Sequence, residues 1–130
     1  MIEDKLINVV NLLGQIENEE EFVDRNCIKV VCDLDMNALY FSREPIPTRT
    51  KSKNIPMGKQ VCVIPFRRDY LIKYTQLKPT PLEIVESVDM MRVLEHGTKV
   101  KMVKTSHQNQ SVDTFEDLNK VKKLMQDDQF

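Results

Sequence analysis

The sequence predicts an α/β domain, and three observations carry that prediction. Helical and extended apolar patterns alternate along the chain. Val61-Cys62-Val63-Ile64 is a continuous apolar run of strand length, as a strand covered on both faces shows. The stretch from Pro79 to Thr114 reads as a helix, a strand and a second helix start. With 130 residues, the chain can bury about two thirds of its unfolded surface, which supports one domain and not two. Residues 1–130 therefore read as a single domain.

In chain order, Leu6, Val9, Val10 and Leu13 recur at i, i+3, i+4 and i+7 before Gly14, which predicts a short amphipathic helix. A chain opening on a helix reads as one entered partway through an α/β alternation. Glu17 to Glu21 with Phe22 and Val23 is a solvated connection or short helix. Ile28 to Cys32 has strand character, Asp33 to Asn37 carries turn residues, and Ala38 to Ser42 is a second strand, so a hairpin is expected. Pro45 and Pro47 forbid helix and central strand alike. With Arg49, Lys51, Lys53 and Lys59 they define an irregular cationic loop, either a plain surface loop or an anion binder.

Pro65 ends the apolar strand, and Arg67 to Leu77, with Tyr70, Leu71 and Tyr74, is expected to be helical. A long helix then runs from a Thr80 cap and Pro81 at its first position to Gly97 just past its end. Ile84, Val85, Val88 and Met91 cover one arc and Leu82, Met90, Val93 and Leu94 much of the rest, so this helix is expected to be buried on most sides. Glu83 and Glu86 share a face with Met90. Buried carboxylates must meet basic side chains from another segment or face a wet cleft, and the residues alone leave both open. Asp89 and Arg92 are placed to pair on the surface. Lys99 to Lys104 alternates charged with apolar residues, as an edge strand blocked by lysines does. His107 to Gln110 is polar loop. Thr114 with Asp117 makes a capping box for a last helix whose buried stripe would be Leu118, Val121, Leu124 and Met125, and Asp113 sits at its mouth.

A formal net charge of −1 argues against a general nucleic-acid binder. No apolar run approaches the ~18 residues of a membrane span, and the start Met1-Ile2-Glu3-Asp4-Lys5 is unlike a signal peptide. A cytoplasmic protein is expected. Three cysteines fit a reducing compartment. Cys27 and Cys32, placed on one strand, would point to opposite faces and could not share a metal.

Four pieces of the chain carry a family resemblance: Ile28-Lys29-Val30-Val31; Ala38-Leu39-Tyr40-Phe41-Ser42-Arg43-Glu44-Pro45-Ile46-Pro47; Thr80-Pro81-Leu82-Glu83 with Glu86 and Met91-Arg92-Val93-Leu94; and Ser111-Val112-Asp113-Thr114-Phe115-Glu116-Asp117-Leu118. In this order and spacing they resemble the C-terminal half of a 3-deoxy-manno-octulosonate cytidylyltransferase, or CMP-Kdo synthetase. The resemblance implies a partial Rossmann-like nucleotidyltransferase fold, a mixed sheet with flanking helices. It implies that the anomeric hydroxyl of a sugar acid attacks the α-phosphorus of CTP, giving a CMP-sugar and pyrophosphate, with Mg2+ bridging the phosphates. It puts Arg43, Gln60, Glu83 and Glu86 around the sugar acid and Asp113 at a magnesium position.

The departures from the family are specific. Glycine occurs only at Gly14, Gly58 and Gly97, so no glycine-rich loop is present to hold CTP phosphates, and the partner magnesium carboxylate is absent with it. Gln60 and Ile64 stand where Kdo enzymes place a histidine and a tyrosine, Met90 where they place a glutamine, and the stretch from Leu13 to Glu17 is short for the strand the family threads there. The expectation is a truncated family member, inactive alone, that homodimerises or associates with a chain supplying the missing half. The alternative is a non-catalytic oligomerisation or ligand-binding module.

Overall fold

A computed structural model describes residues 4–52, 57–106, 112 and 114–127. The elements are β1 (Val9–Gln15), α1 (Glu19–Val23), β2 (Lys29–Cys32), β3 (Ala38–Ser42), β4 (Gly58–Val61), α2 (Arg68–Tyr74), α3 (Pro81–Glu86), α4 (Asp89–Glu95), β5 (Val100–Lys104) and α5 (Phe115–Asp127). The strands form one mixed sheet in the order β3-β2-β4-β1-β5. β1 and β5 are parallel, and the other neighbours are antiparallel. The two edges approach each other through a bridge between Asn37 and Lys101, where Met102 N–H donates to the Met36 carbonyl at 2.7 Å.

One face of the sheet carries Val30, Phe41, Val9, Leu13, Val100 and Met102, and α4 covers it with Met90, Met91 and Val93. The alternation of side chains along a strand and the pairing of Leu13 with Gln60 put Asn11 and Gln60 on this same inner face. The α/β expectation holds, as do the β2–β3 hairpin and the edge position of β5.

The segment expected to be the first helix is β1 instead. Val9 and Leu13 go to one side and Val10 to the other, all buried, while Leu6 is 89% exposed. An apolar run that is buried on both faces satisfies helical spacing by accident, and the β-branched pair Val9-Val10 tips it to strand. The strand thought too short to fit near Leu13 is therefore β1 itself. β4 ends at Val61, where the apolar run was expected to begin. Val63 N–H folds back onto the Val61 carbonyl at 2.7 Å, leaving Cys62 and Val63 exposed. Cys27 lies before β2 rather than within it, so the two-faced strand reading of Cys27 and Cys32 does not apply, and all three cysteines are free thiols.

The long helix is broken into α3 and α4 at Ser87, which adopts a left-handed conformation with φ 53°. A polar clamp gives the reason. Arg43 takes the Glu86 carbonyl with Nε at 2.7 Å and the Ser87 carbonyl with Nη2 at 3.1 Å, the acceptors that a continuing helix would give to the N–H groups of Met90 and Met91. α4 is buried as expected. α3 is not, since Ile84 and Val85 are 69% and 78% exposed. The expected stripe of α5 is only partly covered, with Leu118 and Val121 half-buried but Leu124 60% and Met125 63% exposed, and its Thr114–Asp117 capping box is formed in both directions.

Candidate functional site

The end of β3 and the helix break meet in a dense polar junction. Glu86 accepts from Tyr40 Oη at 3.0 Å and Ser42 Oγ at 3.3 Å on one carboxylate oxygen, and from Arg43 N–H at 2.8 Å on the other. Burial, then the bond to Glu86, raises the Tyr40 pKa above the usual phenol value. The Arg43 guanidinium is braced by three carbonyls: those of Glu86 and Ser87, and that of Arg25 through Nη1 at 2.9 Å. Sequence order explains the meeting: Arg43 is the first residue after β3, and α3 lays its last turn beside that strand. Two residues expected to share a site, Arg43 and Glu86, are thus brought into direct contact.

Glu83, one turn earlier, faces elsewhere. It makes a two-pronged ion pair with Arg92 of α4, in which Arg92 Nε lies 2.7 Å from Oε2 and Nη2 meets Oε1. The Thr80 N–H also donates to it at 3.2 Å. The guanidinium, with help from that N–H, holds the Glu83 carboxyl below the ordinary glutamate range. Arg92 also lies over the Tyr74 ring, 5.1 Å from its centroid. It was expected to pair with Asp89 on the surface; the buried carboxylate, 8% exposed, has the greater need of a counter-charge. The Thr80 cap is half formed: its hydroxyl has no partner among the described residues, and the first-turn N–H groups of Leu82 and Glu83 donate to Glu95 at 3.1 and 3.3 Å.

Gln60 belongs to the sheet. Its Nε2 donates to Asn11 Oδ1 at 2.8 Å, and Asn11, fully buried, donates to the Val61 carbonyl at 2.7 Å. Asn11 thus shares with the Val63 N–H the carbonyl at which β4 leaves the ladder. Asp113 lies outside the described residues, as does Lys53 of the cationic loop. Elsewhere in that loop Arg49 pairs with Glu19 and Lys59 with Glu21, so α1 neutralises two of its cations. Two clefts of about 330 and 270 Å³ share Asn37, Gly97, Thr98 and Lys99, and none of the expected site residues line them.

Asn11 and Lys29 were missed by the sequence reading. Each is a polar residue inside an apolar strand-forming run, Val9-Val10-Asn11-Leu12-Leu13 and Ile28-Lys29-Val30-Val31, and that misfit was the available signal. Among the described residues no group of three or more His, Cys, Asp or Glu side chains could hold a metal ion. No helix among the described residues is long and apolar enough to cross a membrane.

Comparison with known proteins follows the same outline. A family model described as "Cytidylyltransferase" matches residues 1–106. The 3-deoxy-manno-octulosonate cytidylyltransferase of Fusobacterium nucleatum is 40% identical over 119 residues, covering 92% of this chain and 49% of the relative. That of Synechococcus elongatus is 42% identical over 108 residues, 82% of this chain and 44% of the relative. A CMP:2-keto-3-deoxy-manno-octonic acid synthetase solved in complex with CTP superposes with a TM-score of 0.88 at 31% identity, covering 98% of this chain and 52% of that one. The chain spans about half the length of the curated relatives it matches. A mixed sheet of this topology, an arginine fixed at the end of β3 and a family match over most of the sequence lead to one conclusion: the chain belongs to the cytidylyltransferase family.

Proposed function

We propose that these residues form the sugar-acid side of a CMP-ulosonate synthetase, in which the anomeric hydroxyl of 3-deoxy-manno-octulosonate or a related acid attacks the α-phosphorus of CTP. The observation that carries this reading is the braced guanidinium of Arg43. Three of its N–H donors are given to carbonyls, and a guanidinium carries five, in a fork matched to a carboxylate. Gln60, half-exposed and oriented by Asn11, offers an amide to the sugar hydroxyls. Glu86 serves the site through Arg43, whose main-chain N–H its carboxylate accepts and whose Nε its carbonyl takes. Gln60 in place of a histidine points to a variant of the sugar acid.

Phosphoryl transfer is mainly positioning and charge neutralisation. Mg2+, when bound, would supply the neutralisation, and Asp113 is the carboxylate we assign to it. A single carboxylate leaves most of a six-oxygen shell to the phosphates and to groups outside these residues, so the 130 residues by themselves are expected to turn over negligibly. Two measurements test the reading. Calorimetry should detect binding of 3-deoxy-manno-octulosonate that Arg43→Lys weakens at least 10-fold, since an ammonium cannot make the paired contact; no binding by the unaltered chain sinks the reading. Pyrophosphate release from CTP plus the sugar acid should be at background, and substantial release abolished by Asp113→Asn would show that the residues suffice.

A second reading, an association module built on this fold, is favoured by one observation. Leu39 on the edge strand β3 is 61% exposed, and Ile84 and Val85 of α3 are 69% and 78% exposed; an open strand edge with apolar neighbours favours association. We propose a homodimer or a complex with the remaining half of the relatives' length; a strict monomer in sedimentation at all concentrations would remove this reading.

A further inference from the structure

Lys29 heads the fully buried side chains by volume, with 0% exposure. No carboxylate among the described residues is bonded to it. Its Nζ donates instead to three main-chain carbonyls, those of Asp24 at 2.7 Å, Cys27 at 2.6 Å and Arg43 at 2.6 Å. An ammonium has three donors, and all three are matched. Burial nonetheless pulls its pKa below the ordinary lysine value, against the opposing pull of Cys27, Asp24 and Glu44. A buried cation without a bonded counter-ion is a standing cost, and a methionine would fill the same volume without it. Packing alone therefore does not account for Lys29.

Its three acceptors do. Asp24 and Cys27 bound a turn that also contains Arg25, whose carbonyl accepts from Arg43 Nη1. Lys29 holds that turn and, on the opposite side, the main chain of Arg43. The brace on the guanidinium has two halves: Glu86 and Ser87 hold Nε and Nη2, and the turn held by Lys29 supports Nη1. We propose that Lys29 is a positioning residue that fixes the aim of the Arg43 guanidinium from beneath. This rests on reading Arg43 as the partner of the sugar-acid carboxylate. Without the ammonium, the Arg43 carbonyl and the turn part company, and the guanidinium pivots on its remaining contacts.

Lys29→Met, which keeps length and removes the donors, tests this on the full 130-residue chain. Two quantities are read below its melting temperature: the Kd for 3-deoxy-manno-octulosonate, corrected for the folded fraction, and the nuclear magnetic resonance signal of Arg43 Nε–H. The expected result is a Kd at least 10-fold weaker with a shifted or broadened signal. A role confined to stability lowers the melting temperature and leaves both unchanged, and a Kd within twofold with an unmoved signal overturns the proposal. Should Lys29→Met not fold, Lys29→Gln, which keeps an amide N–H2, takes its place; if neither folds, Lys29 serves the fold as a whole and the proposal falls. If the unaltered chain binds no sugar acid, the functional reading fails on its own, and the Arg43 signal still decides whether Lys29 fixes the guanidinium.

Discussion

Glu83 and Arg92 show how a buried charge is settled at the scale of single residues. Their side chains are 10% and 18% exposed, so water screens little of the interaction, and removing one partner strands the other. Arg92→Leu is expected to destabilise the chain by about 3–5 kcal/mol, and the double change Glu83→Leu with Arg92→Leu to recover a large part of that loss; denaturant melts of the three variants measure it. The pair also sets an acid limit. Glu83 has a folded pKa below its unfolded value, so the stability it contributes is fully present above about pH 4.5, the ordinary glutamate value, and is lost as pH falls through the lowered folded value. In Arg92→Leu that part of the acid sensitivity should disappear. The sequence displayed both residues and the conflict of a carboxylate on an apolar helix, but not the partner. A spacing of three favoured Asp89 for Arg92, whereas the fold placed Glu83 where its need was greater.

At the scale of elements, legibility followed how locally each element is determined. The β2–β3 hairpin and the capping box of α5 depend on neighbours in sequence, and both are found. The helix break depends on Arg43 reaching more than forty residues ahead to claim two carbonyls, which no local pattern encodes. β1 was misread because burial on both faces erases the period that distinguishes strand from helix. Its place next to β4 makes a further prediction. A Cβ added at Gly58 would lie 2.7 Å from Leu13 Cδ1 and 3.2 Å from the Val30 carbonyl oxygen, and Leu13, 8% exposed, has no room to retreat. Gly58→Ala is expected to cost about 1–3 kcal/mol through overpacking between β1, β4 and β2, as a lowered midpoint of urea unfolding with an unchanged slope. An unaltered midpoint would mean that the three central strands pack more loosely than this register requires.

Across the whole molecule, apolar surface is unevenly covered, and the comparison of α4 with α5 shows where the domain is self-sufficient. Met91 on α4 is 1% exposed in the core, whereas Leu124 and Met125 on α5 lie more than half open, on a helix whose N-terminal capping box is nonetheless formed. Leu118 and Val121 are half-buried, so this helix gains only part of the hydrophobic stabilisation its stripe could supply. The relatives are about twice as long as this chain, and the association proposed above would cover the stripe with the remaining half of their length. The two helices should respond in opposite ways to substitution. Met91→Ala is expected to destabilise the chain by about 2–5 kcal/mol through the cavity it leaves. Leu124→Glu should change its stability by less than about 0.5 kcal/mol, as surface changes do, while weakening any association detected by sedimentation. If Leu124→Glu proves as damaging as Met91→Ala in a chain that sediments as a monomer, α5 is covered within the domain and the surface assigned to a partner is part of the core.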